Sequence, residues 1–116
     1  MPKINIKVSH HNSELDTTNE LIGIYQDDIL KYIDEKGSKI RFDYKNNKLK
    51  KEEELYRLNL DFNKETIKVY YKELDFNFKE KIKVNKINRN GINIEIEYEL
   101  EDEKIIYRIE ELKWVY

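Results

Sequence analysis

Ile92-Asn93-Ile94-Glu95-Ile96-Glu97-Tyr98-Glu99-Leu100 is the stretch that decides the fold. Ile92, Ile94, Ile96, Tyr98 and Leu100 fall on one side of an extended chain. Asn93, Glu95, Glu97 and Glu99 fall on the other. Successive side chains of a strand point to opposite faces, so this alternation predicts a half-buried β-strand.

Just upstream, Leu74, Phe76, Phe78, Ile82 and Val84 share one parity over residues 74 to 87, as do Glu80 and Lys86. Between the two runs lies Asn88-Arg89-Asn90-Gly91. A three-residue loop over Arg89, Asn90 and Gly91, ending in a G1 bulge, suits Gly91 at its left-handed position. That register sets Val84 opposite Ile96 and Ile82 opposite Tyr98, with Lys83 opposite Glu97 and Lys81 opposite Glu99 outside. On this reading the Lys and Glu runs are a solvated sheet face.

The pattern continues in both directions. Ile4, Ile6 and Val8 alternate with Asn5 and Lys7, and residues 9 to 18 read as a polar loop. Strands follow over 20–26, 29–34 and 39–45, with Gly23 marking a bend or bulge. Residues 48–54 fit either one helical turn or extended chain. Alternation resumes over 55–62, 66–72 and, near the end, Ile105, Tyr107 and Ile109, continuing towards Trp114. The whole predicts an all-β chain of about eight to ten antiparallel strands. Hairpin-short connections favour an up-and-down barrel over a Greek-key sandwich. No linker or repeat divides the chain, so residues 1–116 are expected to form a single domain.

Composition agrees. Charged residues make up 40% of the 116, yet nine Tyr, four Phe and many Ile provide the core that a disordered chain lacks. Ala, the best helix former, does not occur. With no Cys there are no disulfides or thiolate metal sites, and the N-terminus carries no signal-peptide core, so a cytoplasmic location is expected. No apolar run approaches the ~20 residues of a membrane helix. The formal net charge of -2 lacks the basic excess of a nucleic-acid binder. Neither a membrane nor a nucleic acid is therefore an expected partner.

Chemistry-bearing groups are sparse. His10-His11, with Glu14 and Asp16, are metal-capable, but adjacent residues of an extended chain point apart; a solvated loop is the plainer reading and no metal is expected. Glu80 has core parity between Phe78 and Ile82, placing it in a cavity or at a barrel rim. Ser9, Ser13 and Ser38 occupy no nucleophile-elbow context, and three Gly make no phosphate loop. The expectation is a non-enzymatic protein without a cofactor.

Three segments together carry a resemblance. Gly23-Ile24-Tyr25 precedes Ile29-Leu30-Lys31-Tyr32-Ile33-Asp34-Glu35; Leu55 to Phe62 leads into a strand with Tyr71; Ile94 to Leu100 precedes a closing strand. This order resembles the YwiB-like family of small bacterial proteins of unknown function, over about Ile4 to Leu112. The resemblance implies a calycin-like barrel, related in shape to lipocalins and fatty-acid-binding proteins, and transfers no activity. The lipocalin Gly-x-Trp signature is not met, since Tyr25 stands where the Trp would be.

Inward parity makes Tyr32, Tyr56, Phe76, Phe78, Tyr98 and Tyr107, together with Glu80, the candidate lining of a ligand cavity; a filled core is the other use of the same residues. The leading expectation is therefore binding of a small apolar or amphipathic ligand inside the barrel. The alternative is a protein-interaction or oligomerisation module with a filled core, for which a homodimer is the simplest assembly.

Overall fold

A computed structural model describes residues 2–112. They form eleven strands and, among the described residues, no helix. The strands are β1 (Lys3–His11), β2 (Asp16–Gln26), β3 (Ile29–Ile33), β4 (Lys39–Asp43), β5 (Lys48–Glu52), β6 (Tyr56–Asp61), β7 (Thr66–Tyr71), β8 (Phe76–Lys81), β9 (Lys83–Asn90), β10 (Asn93–Leu100) and β11 (Glu103–Glu111). All pairings are antiparallel, in the order β8-β7-β6-β5-β4-β3-β2-β1-β11-β10-β9. The fold is an up-and-down β-barrel, nearly closed. Trp114 lies outside the described residues.

Closure depends on β8 and β9. Seven antiparallel steps lead from β1 to β8, and three lead from β1 through β11 and β10 to β9. Both counts are odd, so β8 and β9 run the same way, with only Ile82 between them. They are two halves of one bent strand. Its first half pairs with β7 and its second with β10, which brings the two ends of the sheet round to each other. Ile82 is buried at the bend, and its amide donates to the Glu65 carbonyl (3.0 Å).

Two expectations are corrected here. Residues 9–18 are not a loop: β1 runs to His11, β2 starts at Asp16, and only residues 12–15 turn. The β9–β10 register also differs. A two-residue turn of Gly91 and Ile92 closes Asn90 against Asn93, and Ile87 faces Ile96, Lys86 faces Glu97, Val84 faces Tyr98 and Lys83 faces Glu99. The register shifts between Glu97 and Tyr98, leaving Asn85 as an extra residue opposite that step. This bulge puts Val84 and Ile87 on one face although they are three apart, and turns Lys86 outward. Gly91 still has a positive φ of 65°, as the first central residue of a type II′ hairpin turn favours.

Short turns recur round the barrel. Asp27 and Asp28 (φ 54° and 61°), and Glu101 and Asp102 (φ 51° and 64°), are two-residue turns with both φ positive, the type I′ signature. The Asp43 and Asp61 carboxylates accept backbone amides two and three residues on, closing the turns after β4 and β6.

The interior is not uniform. Toward the end formed by turns 27–28, 44–47 and 91–92, Ile6, Leu30, Phe42, Ile94, Ile96 and Ile109 are all 2% exposed or less. Phe42 packs edge-on against Tyr44 (4.8 Å between centroids), and Tyr44 meets Tyr25 at 5.7 Å and 85°. The Tyr44 hydroxyl donates to the Ile92 carbonyl (2.7 Å), and the Arg89 guanidinium lies 4.7 Å over its ring. Gly23 permits this packing: a Cβ there would stand 2.8 Å from the Leu30 side chain and 3.3 Å from the Lys31 carbonyl.

Candidate ligand cavity

At the opposite end, near turns 12–15, 34–38 and 101–102, the interior holds a cavity of about 320 Å³. Its apolar walls come from β5, β6, β7 and β11: Leu49, Leu58, Leu60, Ile67 and Ile105, with Phe62 just beyond β6. Tyr32, Tyr98 and Tyr107 add ring faces and hydroxyls. Alternation explains the arrangement. Leu58 and Leu60 face Val69 and Ile67 across the β6–β7 ladder, and Tyr98 and Tyr107 face Ile105 and Ile96 across β10–β11.

Tyr32 and Tyr107 bond to each other hydroxyl to hydroxyl. Burial pushes both phenols up, so both stay protonated at neutral pH. Tyr98 is also buried, edge-on to Phe62 (5.4 Å), and burial pushes its phenol up to about 12.

The mouth is polar. His10, Thr17, Asp34, Glu35, Lys36 and Lys51 line it. The Asp34 carboxylate accepts the Lys36 and Ser38 amides (3.0 and 2.9 Å) and lies 3.8 Å from the Lys51 ammonium. Lys51 is also 3.5 Å from Glu53, which in turn accepts from the buried Ser38 hydroxyl. His10 opposes Tyr107 in the β1–β11 ladder and so points inward. Burial first, then the Lys51 charge, lowers its pKa, leaving a neutral imidazole at pH 7.

The structure thus brings together three of the seven residues singled out from sequence, Tyr32, Tyr98 and Tyr107. The other four do not line the cavity. Phe76 and Phe78 share the inner parity of Tyr71 and Val69, but they lie on β8, where no strand of the described residues covers them, and are 53% and 41% exposed. Tyr56 is half-buried beside Tyr71 (6.4 Å), which is 6.4 Å from Phe76. Glu80 sits at the rim, where partial desolvation and a hydrogen bond with Glu101 hold its carboxyl above the ordinary range. His10, read from sequence as part of a solvated loop, is instead an inward residue of β1 at the cavity mouth. Continuing the Ile4, Ile6, Val8 alternation by one more step finds it.

The outer face is charged. Glu95 bonds Lys86 (2.8 Å) and Arg108, and these two partners hold its carboxyl down to about 2. Lys83 meets Glu99 at 3.8 Å and Lys104 meets Glu97 at 4.0 Å. His11 faces outward and pairs with Asp16. Among the described residues no three His, Asp or Glu groups converge as a metal site, and no helix is long and apolar enough to cross a membrane. No protein-family model, curated protein or solved structure matches the chain.

Proposed function

We propose that this barrel binds a small apolar or amphipathic ligand. The observation that carries the reading is the 320 Å³ cavity, which lies within the size range of small-molecule sites and combines apolar walls with a few polar groups. A water's share of liquid volume is about 30 Å³, so the space takes on the order of ten heavy atoms. That excludes a long acyl chain lying wholly inside. A calycin-like, bacterial and cytoplasmic setting, with kinship to the YwiB-like family, belongs to the same proposal; its support is the sequence resemblance and the up-and-down barrel. Titration with toluene, followed by methyl NMR, tests the binding. Leu58, Leu60, Ile67 and Ile105 should shift, and Leu60→Trp should abolish the shifts. Shifts confined to other residues would remove the reading.

A second reading has its own support. Phe76, Phe78, Leu74 and Tyr71 are exposed together, and among the described residues β8 pairs only with β7. An unpaired edge beside exposed aromatic rings suits antiparallel pairing with β8 of a second copy, in a two-fold dimer. Sedimentation equilibrium should then give a dimer that Phe78→Lys converts to monomer. A monomer at all concentrations would sink it.

A further inference from the structure

We infer that the cavity selects an uncharged, compact ring compound bearing one hydrogen-bonding group, and that the Tyr98 hydroxyl is its buried anchor. This deepens the binding reading and rests on it. Three observations lead there.

The first is the bonding of the buried tyrosines. Tyr32 and Tyr107 satisfy each other, and Tyr44 donates to a backbone carbonyl. For Tyr98 no hydrogen-bond partner occurs among the described residues, although the residue is only 6% exposed. No fully enclosed side-chain oxygen or nitrogen in the described residues lacks a partner. Tyr98 lines the cavity, so among the described residues it is the cavity tyrosine whose hydroxyl has no protein partner. A buried hydroxyl that can both donate and accept is satisfied by a ligand alcohol, phenol, ketone or amide.

The second is the placement of charge. Every charged lining residue belongs to the 34–38 turn or to Lys51 on β5, at the mouth. Lys51 is committed to Asp34 and Glu53. With Glu35 and Lys36, the described lining carries two carboxylates and two ammonium groups. His10, half-buried and within reach of the charges of Lys51, Glu35, His11 and Lys36, adds no charge at neutral pH. An anionic head group meets a mouth with no net positive charge, and an ammonium group finds no carboxylate deeper in the described lining. Either would lose its hydration among tyrosine rings and aliphatic side chains, which is costly for an unpaired ion.

The third is shape. A space for on the order of ten heavy atoms, walled by the Phe62 and Tyr98 rings, suits a ring that meets them edge-on or offset.

Four probes of similar size, each titrated at pH 7 and followed by methyl NMR, test this: toluene, benzyl alcohol, benzoate and benzylammonium. Benzyl alcohol should bind at least about tenfold more tightly than either ion. Tyr98→Phe should weaken benzyl alcohol by about fivefold, the worth of one neutral hydrogen bond, and leave toluene within twofold. If toluene binds but an ion equals or exceeds benzyl alcohol, the inference is overturned while the cavity reading stands. Equal weakening of toluene and benzyl alcohol by Tyr98→Phe would overturn it in the same way. If none of the four binds, the cavity reading itself falls.

Discussion

The two halves of the barrel interior are built from the same kind of strand and differ in what fills them. One half is Ile6, Leu30, Phe42, Ile94, Ile96 and Ile109, fully buried and sealed by Tyr44, Tyr25 and Arg89. The other has Tyr32, Tyr98 and Tyr107 around a cavity, with a charged mouth. Branched aliphatic side chains interdigitate and leave no gap. In the other half the Tyr32 and Tyr107 hydroxyls bond to each other beside the cavity. The sealed half supplies buried apolar area, and the other half holds the cavity in which we propose that a ligand binds.

That contrast should break most visibly under truncation. Phe42→Ala is expected to cost about 3–5 kcal/mol, because it empties a closed site. Leu58→Ala, beside existing space and half-buried, should cost only about 1–2 kcal/mol. Urea denaturation of both variants decides; equal costs would erase the distinction between the halves. Gly91→Val, at the turn of the sealed end, should cost roughly 1 kcal/mol or more through the positive φ alone, since no atom lies within 4 Å of the added Cβ. An unchanged melting temperature would contradict that. Tyr32→Phe sharpens the comparison from the other side. It removes one buried hydrogen bond and leaves Tyr107 unpartnered, for a loss of about 1 kcal/mol.

The smallest effects are electrostatic and opposite in sign. Glu80 has a raised pKa in the fold, so its contribution to stability falls as pH rises from the ordinary carboxylate range through that raised value. Glu80→Gln should therefore raise the melting temperature at pH 7 and lose that advantage at low pH. Glu95 has a lowered pKa, so its contribution is present above the ordinary range and lost as pH falls towards about 2. Glu95→Gln should lower the melting temperature at pH 7 and make no difference near pH 2. Melting curves of the two variants that move in the same direction at pH 7 would refute one of the two assignments, the one whose predicted sign fails.

Alternation makes the fold class legible, because a period of two survives in β10, β4 and β6 without help from tertiary contacts. It also gives the facing of Tyr32, Tyr98 and Tyr107. It cannot give burial at β8: facing inward covers Phe76 and Phe78 only if another strand lies beyond them, and among the described residues none does. The β9 register escapes a parity argument because a bulge changes parity within a strand. Val84 and Ile87, apolar and three apart, are the visible mark of it. The cavity has no sequence signature, since the same tyrosines serve a filled core equally well.

The pairing of β1 with β11 has a consequence for how the molecule is made. Val8 rests against Ile109, roughly a hundred residues away along the chain. Every other ladder joins strands that are consecutive in the chain. During synthesis the hairpins from β1 to β8 can assemble in order, but β1 keeps a bare edge until β11 leaves the ribosome. Its apolar face of Ile4, Ile6 and Val8 is then open to other chains. Such a late, distant contact raises contact order and slows folding. Joining the two ends and reopening the chain at turn 12–15 would make β11–β1 a local hairpin but leave β1–β2, with nine paired residues against six, as the distant ladder, so folding should slow rather than quicken.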